Sequence, residues 1–127
     1  MLPSAKKEDL RNRTKKYASG IIKLFISLPK NRPEVQVLGR QMLRSGTSVA
    51  ANYREASRAR SRQEFVSKIE LCTQEADETS LWLELLQGDC AIESEMLTWL
   101  HTETHELISI FVTMARNAKR RKKQADS

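Results

Sequence analysis

The sequence predicts an all-α protein folded as an antiparallel, up-down-up-down four-helix bundle. Three observations carry this. Apolar residues recur at three- and four-residue spacing in four separate segments, and no segment alternates at period two. The helix-breaking residues are few, three prolines and four glycines, and Pro29, Pro33 and Gly88 mark where segments start or stop. The links are short, so each helix must turn back along its predecessor. The expected helices span roughly 6–28, 33–59, 61–88 and 93–119.

In the first segment the core line is Leu10, Tyr17, Ile21, Leu24 and Leu28. Ile22 and Ile26 fall off that line by more than about 90°, so they predict a second buried face between subunits. Pro29 and Pro33 bracket the first turn. The second segment keeps its spacing through Leu38, Met42, Ser45, Val49, Tyr53 and Ala56. Gly46 interrupts it among small residues and predicts a close helix–helix approach there. Ser61-Arg62-Gln63-Glu64 is a capping box that opens the third segment. Its seam, Phe65, Ile69, Cys72, Ala76, Thr79, Leu83 and Leu86, is an unbroken heptad pattern that predicts shallow crossing angles. Gly88 is expected to cap the third helix. The fourth offers Met96, Leu100, Leu107, Phe111 and Met114. Residues 1–118 are therefore expected to form the bundle, about 40 Å long, and 119–127 a basic tail.

Charge is segregated along the chain. Residues 1–62 carry a net +11, residues 63–115 a net −10 and residues 116–127 a net +5, within an overall +6. The halves should attract one another within a chain or between subunits, leaving the basic tail uncompensated. No apolar run approaches a membrane span, and Lys6, Lys7, Glu8 and Asp9 replace the apolar stretch of a secretory signal. Cys72 and Cys90 lack metal or redox spacing, which predicts two reduced thiols in a cytoplasmic protein.

Arg44, Arg54 and Arg58 all fall within about 40° of Arg40 on the second helix, opposite its apolar line. Arg62 lies just beyond the helix end. The guanidinium fork suits phosphate oxygens, so the stripe is a candidate nucleic-acid contact. The competing expectation is pairing with acids, for which Glu70, Asp77 and Glu84 form a seven-spaced stripe. Lys119, Arg120, Arg121, Lys122 and Lys123 exceed what a helix C-terminus needs and are either a second polyanion contact or a solubilising tail. Aromatics are sparse near both, which favours backbone contact over base stacking.

Catalytic chemistry finds no constellation. Glu75 and Glu78 are close, but ion pairs with Arg54 or Lys68 are their expected use. His101 and His105 stand four apart in His-Thr-Glu-Thr-His, without the glutamate of H-E-x-x-H and without an evident third ligand. We therefore expect no catalytic residue, metal or cofactor.

The stretch Gln41–Ala56, which includes Arg44-Ser45-Gly46-Thr47-Ser48 and Asn52-Tyr53-Arg54-Glu55, resembles the bacterial four helix bundle proteins. Phe65–Ile69 and Glu75–Leu86 resemble the same family, whose members are also encoded in intervening sequences of 23S rRNA genes. The similarity runs from about residue 10 to 115. It implies an antiparallel bundle and assembly as rings of five. A relative, the accessory protein of diversity-generating retroelements, implies a basic barrel that binds nucleic acid and a reverse transcriptase. The resemblance also implies that Ser48, Asn52, Glu55, Glu75 and Glu78 are polar links between helices. The fourth helix and basic tail depart from the family pattern. The function expected is a non-enzymatic homo-oligomeric scaffold, with no membrane contact, that touches RNA or DNA without strong sequence preference. The alternative is an adaptor whose basic face docks an acidic protein.

Overall fold

The computed structural model describes residues 4–126, with side chains described from 7 to 121 except residue 8. Four helices account for the described chain: α1 (Ser4–Ser27), α2 (Pro33–Ser57), α3 (Arg62–Gln87) and α4 (Glu95–Asp126). They form an all-α bundle in which each helix packs on its sequence neighbour, and α1 touches α4 more sparsely to close the ring.

The periodic lines become the core. All seven seam residues of α3 are buried, as are Leu10, Tyr17, Ile21, Leu24 and Leu28 of α1. On α2, Leu38 is only partly buried, and Val35 and Gly39 extend the buried line instead. On α4, Leu97, Thr104, Ala115 and Ala118 join Leu100, Leu107 and Phe111, while Met96 and Met114 sit at the rim. Among the buried hydroxyls, one from each helix pairs with a hydroxyl of another helix across this apolar interior. Ser45 Oγ meets Thr79 Oγ1 at 2.7 Å, and Tyr17 Oη meets Thr104 Oγ1 at 2.6 Å. Thr79 donates to the Glu75 carbonyl and Thr104 to the Leu100 carbonyl, so Ser45 and Tyr17 are the donors across the helix pairs. Among the described residues no buried side-chain nitrogen or oxygen lacks a partner. Such a layer penalises register slips, because a slip would strand hydroxyls in an apolar core.

Gly46 marks a close approach, as its neighbourhood of small residues predicts. A Cβ there would lie 2.7 Å from Ile21 Cγ1 and 2.8 Å from its Cδ1. The Ser61 cap forms as expected, accepting from the Glu64 amide at 3.0 Å, but the Glu64 carboxylate reaches back to the Arg60 amide at 3.1 Å. Gly88 caps α3 in an ordinary right-handed conformation; the left-handed residue of that turn is Ala91, with φ 56°. At the same end of the bundle, Arg32 Nη1 donates to the Cys90 carbonyl at 2.9 Å and laces the two loops together. Helix α4 ends at Asp126, not near residue 119, so the basic run is helical. Lys, Arg, Gln and Ala are good helix formers, and cations are favoured at a helix C-terminus.

Candidate nucleic-acid interface

The turn α2–α3 gathers cations at one end of the bundle. Helix α2 ends there with Arg54 and Arg58, the connecting residues include Arg60, and Arg62 opens α3. Helix α4 runs antiparallel to α3, with Glu84 opposite His101 and Glu70 opposite Lys119. That register carries residues 119–126 along the first turns of α3 toward Arg62. A shallow groove joins the two, lined by Arg62, Gln63, Glu70 and Lys119 among others.

The arginine stripe of α2 separates into two groups. Arg40, Arg44, Arg54 and Arg58 are all exposed, as the helical phase requires. Arg44, however, reaches α3: its Nη2 donates to Glu78 Oε1 at 2.6 Å and its Nη1 to Glu75 Oε2 at 3.4 Å. The Glu78 hydrogen bond leads the causes that hold the Arg44 guanidinium above its ordinary pKa, followed by the charge of Glu75. Arg44 is therefore a helix-to-helix tie whose side chain remains half exposed, and it leaves the set of open arginines. Among the described residues none forms an ion pair with Arg40, Arg54 or Arg58. Arg40 and Arg58 lie 18 positions apart, which is about 27 Å of helix.

The acidic residues have different partners from those the spacing suggests. Glu75 and Glu78 hold Arg44 instead of Arg54 or Lys68. Lys68 is held by Glu55 of α2 at 2.8 Å. Of the seven-spaced stripe, Glu70 takes Lys119 at 3.0 Å and Glu84 takes His101 at 3.3 Å, so neither meets an arginine of α2. The reason is register: the stripe lies on the α4 side of α3, whereas Glu75 and Glu78 lie toward α2. Of the residues that the resemblance marks as polar links, Glu55, Glu75 and Glu78 do join α2 to α3. Ser48 and Asn52 instead bond within α2, to the carbonyls of Arg44 and Ser48.

In the C-terminal run, Lys119 is committed to Glu70, Arg120 is exposed, and Arg121 also has an interaction partner. The side chains of Lys122 and Lys123 lie outside the described residues. Ile22 and Ile26 are 44% and 66% exposed, off the core line as their phase predicts. Two features escape the sequence pattern. The Arg13 guanidinium grips the buried Glu103 carboxylate through Nε at 2.8 Å and Nη2 at 2.7 Å, tying α1 to α4. And α3 supplies Glu84 to the His101–His105 pair, a third donor that no spacing within α4 could announce.

No described helix is long and apolar enough to cross a membrane. No curated protein matches the chain. A solved structure of a protein of unknown function from the S23 ribosomal protein family of Bacteroides thetaiotaomicron VPI-5482 is similar at 33% identity, with a TM-score of 0.74. It covers 83% of this chain and 96% of its own. Neither match indicates a catalytic family. The family model described as 23S rRNA-intervening sequence protein matches residues 6–113, and the chain belongs to that family.

Proposed function

We propose that this protein is a non-enzymatic, homo-oligomeric scaffold of the cytoplasm that binds the sugar–phosphate backbone of RNA or DNA without strong sequence preference. The observation that carries this reading is the exposure of Arg40, Arg54 and Arg58 without an acid partner among the described residues, on a helix whose fourth stripe arginine is tied to Glu75 and Glu78. Three open guanidinium forks spread over about 27 Å suit an extended polyanion better than a compact acidic pocket. Arg120 and the surrounding basic end extend the same field.

Assembly uses the face of α1. Ile22 and Ile26 are exposed apolar side chains on a helix already supplied with a core line, so a subunit contact is their natural cover. The basic first half of one subunit set against the acidic second half of its neighbour makes a heterologous contact that closes into a ring, a pentamer in this reading.

The test is equilibrium binding of a generic RNA and a duplex DNA at 50 and 200 mM salt. Six or more phosphate contacts lose roughly 10³-fold or more in affinity over that interval. Weak preference between sequences and a steep salt response support the proposal. No binding at the lower salt refutes it, and a pull-down of an acidic protein that survives nuclease treatment favours the adaptor.

A further inference from the structure

We propose that Glu84, His101 and His105 form a zinc-binding site with one open coordination position, independent of the nucleic-acid reading. His101 and His105 project from successive turns of α4, and their Nε2 atoms approach to 3.4 Å. Glu84 comes from α3, with its Oε1 3.3 Å from His101 Nε2. One ligand atom from each residue lies within 4.8 Å of the other two. A tetrahedral ion holding ligands at about 2.0–2.1 Å sets neighbouring ligand atoms about 3.3–3.4 Å apart. Two of the three separations already have that value, and a small turn of the exposed Glu84 or His105 side chain closes the third.

One hydrogen-bonded arrangement fits the same three atoms, with the His101 Nε2–H shared between Glu84 Oε1 and the bare Nε2 of His105; a cation in place of that proton engages all three atoms as ligands. Ser80, itself buried, donates to the same Glu84 Oε1 at 3.3 Å and helps hold that oxygen beside His101.

Two imidazoles and one carboxylate suit zinc, whose open sites keep three protein ligands and a fourth position for water or an incoming donor. Glu84 and His105 also line a shallow hollow with Asp77 and Ser80, so the cluster lies open to solvent. A bound ion would also pin α3 to α4 and stabilise the bundle by mass action.

The experiment is calorimetric titration of the full, untagged, chelator-treated protein with Zn²⁺, alongside Co²⁺ absorption spectroscopy. The expected result is one saturable Zn²⁺ per chain and intense visible bands typical of four-coordinate cobalt. H101A, H105A and E84Q should each weaken binding at least roughly 10- to 100-fold, the range lost when even a group that only hydrogen-bonds a metal ligand is removed. These side chains lie at the surface, and metal-free melting curves confirm that each variant folds. C72S/C90S should bind as the parent does, because both thiols are buried away from the cluster. Absence of saturable binding to the parent, retention of affinity in H101A/H105A, or loss of binding in C72S/C90S overturns the proposal.

Discussion

Replacing Gly46 with alanine sets two effects of known size against each other. In a helix interior the change gains about 1 kcal/mol of helix propensity. Against this stands Ile21, which is fully buried, with three of its carbons 2.7, 2.8 and 3.0 Å from the new Cβ. Ordinary carbon–carbon contact is about 3.5–4.0 Å, so α1 and α2 must part or Ile21 must leave its rotamer. Overpacking of this kind costs about 1–3 kcal/mol, and three simultaneous contacts against a side chain with nowhere to go belong at the upper end. G46A should therefore be destabilised by about 1–2 kcal/mol net. Truncating Ile21 removes the obstacle. I21A alone should cost about 2–5 kcal/mol, but in that background G46A should become stabilising. Urea denaturation followed by circular dichroism, at one fixed protein concentration, measures all four corners of the cycle. A stabilising G46A in the parent background would refute the close α1–α2 crossing.

Three further outcomes follow from the same packing. R13A leaves the buried Glu103 carboxylate without its fork and should cost about 2–3 kcal/mol by urea denaturation, whereas E106A, at the weaker 3.4 Å contact, should change stability little. Burial pushes the Tyr17 and Tyr53 hydroxyls and the Cys72 thiol each up to about 12. The unfolded chain releases these protons first, from pH 9 to 10, so their contribution is complete below that range. It is lost as pH rises toward 12, by roughly 3 kcal/mol for Tyr17 alone, and Y17F should flatten the alkaline limb of a stability–pH curve. A91G relieves the left-handed strain at φ 56° and should raise the urea midpoint by the equivalent of about 1 kcal/mol.

The four helices were legible because each carries its own apolar period, and the α3 seam emerged without a single exception. The solvent face of α2 was legible for the same reason. What lay beyond reach was register between helices. Nothing within α2 distinguishes Arg44 from Arg40 or Arg58; only the height at which Glu75 and Glu78 stand on α3 commits it. Glu103 reads as a surface acid until α1 places Arg13 over it. Likewise His101 and His105 lack a third donor until α3 brings Glu84 beside them. The helix end near residue 119 was misplaced for a local reason: charged residues ended the apolar period, but their helix propensity carried α4 on.

The most direct test of the account compares the salt dependence of duplex DNA binding for the parent, for R40A/R54A/R58A and for R44A. Each phosphate contact contributes about 0.9 to the slope of log affinity against log salt. Losing three open arginines should reduce that slope by about 2.7, with a nearly uniform loss across sequences, while R44A, whose guanidinium is engaged with Glu75 and Glu78, should leave it within about one contact of the parent. A triple variant with the parent slope would contradict the account, and would place those guanidiniums against protein.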